Sequence, residues 1–146
     1  MTDLSFEKEF DIVGSDFIRA GSVSTQVKSL LKEVGVDPVI VRRVAIATYE
    51  AEMNVVMYAV KGRLDFHVDP NRIQIKVQDQ GQGIGDIELA MQEGYSTATE
   101  EMREMGFGAG MGLPNIKRNC DRFEIESTPG VGTKLLLIIY IRDEPE

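Results

Sequence analysis

The chain has 146 residues, 42% of them apolar and 27% charged, which is the size and composition of one domain with its own buried core. A net charge of −8 argues against nucleic acid as a partner, because phosphate backbones are held through clustered Lys and Arg. Three further absences, of a roughly 20-residue apolar run, of a signal-peptide pattern in MTDLSFEKEF and of any cysteine besides Cys120, lead to the expectation of a soluble cytoplasmic domain spanning 1–146, without a membrane span or disulfide framework.

Leu4, Phe6, Phe10 and Ile12 share one phase of a period of two, which predicts a half-buried strand over 4–12. Phe17, Ala20, Val23, Val27, Leu30, Leu31 and Val34 fall at helical spacing, so a helix is expected over about 15–34, with Gly35 as its stop. Asp37-Pro38 opens a second helix, with Asp as N-cap and Pro at the first helical position. Its apolar stripe is Val41, Val44, Ala45, Thr48, Ala51 and Val55, and it is expected to run to about Val60 and end at Gly62. Two alternating runs follow, Leu64/Phe66/Val68 and Ile73/Ile75/Val77, and the turn residues Asp69-Pro70-Asn71 between them predict a hairpin.

After Asp79 the composition turns to glycine: eight of the fourteen glycines lie between Gly81 and Gly112, around a short helical stretch near 86–92. Pro114 begins another helix to about Arg122. Strands near 123–127 and 133–142 then flank the turn Thr128-Pro129-Gly130-Val131-Gly132. This order predicts an α+β fold: a two-layer sandwich with the helices on one face of a mixed, mainly antiparallel sheet.

Three groups of residues could carry chemistry. Glu50 and Asn54 lie four apart on the second helix and so share a face. An amide oxygen is a hard ligand for magnesium and a carboxylate can take a hydroxyl proton, although the pair also fits a solvated helix face. Glu52, out of phase with both, reads as surface. Asp79, at a strand end before Gly81, Gly83, Ile84 and Gly85, offers an acceptor to an exocyclic amine such as that of adenine; a glycine-rich turn capped by Asp is the plainer reading. Gly106, Gly108, Gly110 and Gly112 run into a helix beginning near Leu113. Consecutive N–H groups ending at a positive helix terminus suit phosphate, where a plain loop is the alternative. That segment matches neither the P-loop nor the dinucleotide fingerprint. Its 18 residues from Gly94 to Met111 are long for a connection in a compact domain, which favours a lid. His67 has no metal-ligand partners at motif spacing, Cys120 reads as a semi-buried helix residue, and Met102, Met105 and Met111 could pack the lid. Ser96, Thr97 and Thr99 read as lid polar residues. Arg103 and Lys117 fit either phosphate neutralisation or solvated surface.

In order and spacing, Glu50-x-x-x-Asn54, Asp79-x-Gly81-x-Gly83-Ile84, Gly106-x-Gly108-x-Gly110-x-Gly112 and Gly130-x-Gly132-Thr133 resemble the GHKL ATPase superfamily. The resemblance implies an α/β sandwich with ATP between helices and a mobile lid. It implies Asn54 as the magnesium ligand and Asp79 as the adenine ligand with Thr133 in support. The lid from Gly106 to Gly112, with Met111 and Leu113, would hold phosphates. At this length, and with Gly94-Tyr-Ser-Thr and Gly110-x-Gly-Leu-Pro-x-Ile-Lys-Arg, the chain resembles the bacterial anti-sigma and RsbT-type switch serine/threonine kinases. That resemblance implies Glu50 as the base, a STAS-domain regulator as substrate, and a sigma factor or a phosphatase as other candidate partners. A homodimer is compatible with it. The stretch Thr99–Met105 makes the lid longer and more acidic than that of an RsbT-type kinase, and a longer lid is closer to the sigma-binding anti-sigma kinases. A nucleotide-gated binding module with little phosphotransfer is the competing reading.

Overall fold

The computed structural model describes residues 5–92 and 112–141. In chain order these form β1 (Phe6–Val13), α1 (Ser22–Glu33), α2 (Pro38–Tyr58), β2 (Ala59–Val68), β3 (Arg72–Gly81), the single turn α3 (Ile87–Ala90), α4 (Gly112–Asn119), β4 (Arg122–Thr128) and β5 (Gly132–Tyr140). The strands make one sheet in the order β1-β2-β3-β5-β4, and every neighbouring pair is antiparallel. The mixed sheet expected from sequence is thus a wholly antiparallel one among the described residues. The α+β architecture is as expected.

Period-two alternation decides which face of the sheet the helices cover. Phe10, Ile12, Leu64, Phe66, Val68, Ile73, Ile75, Val77, Leu135, Leu137 and Ile139 are buried on that face. They meet Val27 and Leu31 of α1, Val41, Val44, Ala47, Ala51 and Val55 of α2, and Ile116 of α4. Burying one such side chain contributes about 1.5–3 kcal/mol. The opposite face carries Glu7, Glu9, Arg63, Asp65, His67, Gln74 and Lys76 around an open groove of about 830 Å³. Arg63 pairs there with Glu9 and with Asp65. His67 is half-buried beside Ser5 and Glu7.

Element boundaries depart from the sequence reading at three places. The helix expected over 15–34 begins only at Ser22, because Ser15 (φ 64°) and Gly21 (φ 94°) are left-handed and 14–21 is a loop. α2 stops at Tyr58, not near Val60: Ala59 turns extended (φ −117°, ψ 164°), and Ala59, Lys61 and Gly62 already pair with β3 around a bulge at Val60. α4 starts at Gly112, two residues before Pro114, and ends at Asn119, since Arg122 pairs with Ile138. The start of α2 is as read, with the Asp37 carboxylate accepting the Val39 N–H at 2.8 Å. Asp69 likewise closes the hairpin turn by accepting from Asn71 and Arg72. Among the described residues no helix is long and apolar enough to cross a membrane.

Candidate functional site

Two clusters line the helix-covered end of the sheet. In the first, α2 carries Glu50 and Asn54 toward the start of α4. A methyl group placed on Gly112 would stand 3.4 Å from Asn54 Oδ1 and 3.8 Å from Glu50 Oε1. The first N–H groups of α4 have no intrahelical acceptor and form a positive end, so two oxygen-bearing side chains border an anion-favouring terminus. Asn115 Nδ2 donates to Glu50 Oε2 at 3.0 Å, and Arg118 Nη1 donates to Asn115 Oδ1 at 3.3 Å. The Glu50 carboxylate is thereby oriented by α4 while Oε1 faces Gly112.

In the second cluster the sheet register does the positioning. Gln78 pairs with Lys134, and Ser127 pairs with Thr133, so Asp79, one residue past the last β3–β5 pair, comes level with Thr133 and Ser127. Thr133 N–H donates to Asp79 Oδ1 at 3.0 Å. Burial raises the Asp79 carboxyl above its ordinary value, opposed by that backbone bond. The glycines are there for close approach. A side chain on Gly132 would strike the Asp79 carbonyl, and one on Gly83, left-handed at φ 70°, would strike the Thr128 carbonyl. Gly81 N–H donates to Val131 O at 3.0 Å, and Ile84 N–H donates to Ser127 Oγ at 2.7 Å, which holds the segment after β3 against the β4–β5 turn. Leu113 is buried behind α4.

Glu52 overturns its reading as a surface residue. It is 2% exposed, and its carboxylate accepts the N–H groups of Gly21 (3.1 Å), Val23 (3.1 Å) and Ser24 (3.0 Å). α1 begins at a glycine with no side-chain cap, and Glu52 of α2 serves in its place. Glu52, Asn115 and Ser127 are the residues that sequence reasoning missed. For Ser127 a signal existed, since it shares the inward phase of Phe123 and Ile125. Cys120 is half-buried, one residue past α4 and not within a helix. Lys117 is exposed. Gly106, Gly108, Gly110 and Met111, with the lid residues Ser96, Thr97, Thr99, Met102, Arg103 and Met105, lie outside the described residues. Among the described residues no cluster of three His, Cys, Asp or Glu side chains is placed to hold a metal ion by itself.

The sequence model of the histidine kinase-like ATPase domain family matches residues 15–139, a span that contains both clusters. The chain belongs to this family. Among relatives of this ATPase domain, the serine/threonine-protein kinase RsbT of Bacillus subtilis is 34% identical over 119 residues, 79% of this chain and 84% of RsbT. The anti-sigma F factor of Caldanaerobacter subterraneus is 39% identical over 101 residues, 65% of this chain and 66% of that protein. Among solved structures, the RsbU and RsbW domains of Rv1364c from Mycobacterium tuberculosis align with a TM-score of 0.55 at 17% identity. That alignment covers 90% of this chain and 32% of the other, so the chain spans about a third of it. The mycobacterial sensor histidine kinase MprB aligns with a TM-score of 0.52 at 15% identity over 91% and 97% of the two chains. Likenesses this remote in sequence establish the fold of the ATPase domain and nothing finer.

Proposed function

We propose that this ATPase domain is a cytoplasmic, magnesium- and ATP-dependent serine/threonine kinase that phosphorylates a STAS-domain regulator. The observation that carries the reading is the convergence of Glu50 and Asn54 on Gly112 at the N-terminus of α4. A phosphoryl group held there would meet backbone N–H donors, a hard amide oxygen and a carboxylate.

The residues present fit a magnesium ion that is bound together with nucleotide phosphates. Asn54 Oδ1 would supply one oxygen ligand, and the others would come from nucleotide phosphate and water, with no need of an all-protein cage. When bound, the ion neutralises phosphate charge. Asp79 takes the amino group of adenine, and Thr133, fixed to Asp79 through its N–H, lies beside it. Glu50 takes the proton from the serine or threonine hydroxyl of the substrate. Its orientation by Asn115 holds the carboxylate where positioning contributes most of the rate.

The similarity to RsbT supports the kinase reading. The similarity to anti-sigma F factors supports a second reading, in which nucleotide gates capture of a sigma factor with little phosphotransfer. Transfer of label from γ-labelled ATP to STAS proteins separates the two. Glu50→Gln is expected to bind magnesium-ATP as the wild type does and to label the STAS protein at least 100-fold more slowly. Labelling at the wild-type rate would remove Glu50 as the base. Partner capture that depends on ATP without any labelling would favour the second reading.

A further inference from the structure

Asn115 stands between two charged groups and hydrogen-bonds to both. Its Nδ2 donates to Glu50 Oε2 at 3.0 Å, and its Oδ1 accepts from Arg118 Nη1 at 3.3 Å. A side-chain amide can be turned either way about its last bond, but here both neighbours impose the same sense. A guanidinium has only donors and an ionised carboxylate only acceptors, so the amide oxygen belongs at Arg118 and the amide nitrogen at Glu50. The reverse sense would set oxygen against oxygen and nitrogen against nitrogen. Residues 115 and 118 lie three apart on α4 and so share a face, while the fully buried Ile116 seats the helix on the core.

With Oε2 turned to Asn115, the oxygen of Glu50 left for chemistry is Oε1. It stands 3.8 Å from a methyl group placed on Gly112, on the side of the α4 N-terminus. We infer that Asn115 and Arg118 are positioning residues that reserve Oε1 of Glu50 for the proton of the substrate hydroxyl. In the transfer, the hydroxyl oxygen bonds to the γ-phosphorus, the bond from that phosphorus to ADP breaks, and the hydroxyl proton passes to Oε1. Arg118 acts through the amide. It disfavours the flipped sense, which would turn Oδ1 onto the carboxylate and push Glu50 out of line. The inference rests on the reading of Glu50 as the base, and adds which of its atoms works and what holds it there.

Two readouts test this relay. The first is the side-chain amide signal of Asn115 in the nuclear magnetic resonance spectrum of the unligated chain. One of its protons is expected downfield of those of exposed asparagines, and to return toward them in Glu50→Ala. The second is transfer from γ-labelled magnesium-ATP to a STAS-domain protein that the wild-type chain labels, with kcat and KM read separately. Asn115→Leu, close in volume but without a donor, is expected to lower kcat about tenfold and to leave the KM for ATP within about twofold. Arg118 is exposed, so its variants probe the relay without disturbing the core. Arg118→Glu, which draws the amide nitrogen away from Glu50, is expected to lower kcat as Asn115→Leu does, and Arg118→Lys, which keeps a donor, to recover it. In the Asn115→Leu background Arg118→Glu is expected to add nothing, because both act on one contact. An unshifted amide signal, an unchanged kcat in Asn115→Leu or a loss confined to KM would overturn the inference. A loss in Arg118→Glu that persists undiminished in the double variant would remove Arg118 from the relay. Glu50→Gln distinguishes these failures from a failure of the underlying reading. If it labels at the wild-type rate, Glu50 is not the base. If it is slow while Asn115→Leu is not, only the relay falls.

Discussion

Asp79 is the residue where stability and ligand binding pull in opposite directions. Its carboxyl is raised by burial, so the folded state holds that proton more tightly than the unfolded chain does. Below the unfolded value the group is protonated in both states and costs nothing. As pH rises from the unfolded value through the elevated folded value, ionisation penalises the folded state, and above the folded value the penalty is fully present. Asp79→Asn keeps an oxygen for the Thr133 N–H and removes the charge. The unligated variant is expected to melt above the wild type at pH 7, the gap closing as pH falls through the raised carboxyl value. Magnesium-ATP, which raises the wild-type melting temperature in the proposed function, is expected to leave the variant unmoved. A variant that melts below the wild type at neutral pH would show that the Thr133 bond, and not burial, decides the balance. Asp79 is legible in the sequence because it stands at a strand end before alternating glycines. Thr133 is named by the same resemblance, whereas Ser127 gains its place only through the register of β4 on β5, which sets it opposite Thr133.

At the scale of elements, the contact of α1 with α2 depends on a buried carboxylate. The three N–H groups at the start of α1 have Glu52 as their acceptor, and in Glu52→Ala they are left in a part-buried place without one. The expected cost is about 3 kcal/mol in urea denaturation, with Glu52→Gln in between and faster amide exchange at Val23 and Ser24. Asp37→Ala, which removes an exposed local cap from α2, is expected to cost only about 1 kcal/mol. Equal costs would mean that water replaces Glu52 readily. Local caps such as Asp37-Pro38 are written within three residues, so the sequence shows them directly. The cap of α1 comes from 28 to 31 residues away, so periodicity alone starts that helix too early and puts Glu52 on the surface. The junction of α2 with β2 is obscured for a related reason. No stop signal stands before Gly62, so the helix reads on to about Val60, yet pairing with β3 claims the backbone from Ala59 onward.

For the molecule as a whole, the layer arrangement is the most legible feature, because alternation in five strands and 3.6-residue periodicity in the main helices leave few ways to bury both apolar faces. Strand order is not, since β5 enters between β3 and β4 by long-range pairing. The end of the sheet that β5 brings together is monitored by Cys120. It packs against the core between α4 and Asp121, whose carboxylate joins Arg43 of α2 at 3.1 Å and the Tyr140 N–H of β5 at 2.7 Å. Burial pushes the thiol from its ordinary value of 9.0 up to about 12, with Arg43 opposing and Asp121 adding to the rise. A rise of that size leaves roughly a thousandth of the usual thiolate, and the thiolate is the form that reacts. At pH 8 the folded chain is therefore expected to react with an aromatic disulfide reagent about a thousandfold more slowly than the chain in urea. The residual reaction then proceeds through opening of the α2–α4–β5 corner. A ligand that binds only the closed form slows that opening in proportion to its saturation, so magnesium-ATP is expected to retard labelling further. Labelling of the folded chain at the unfolded rate would show that Cys120 is open to solvent and that this corner does not hold the elements together.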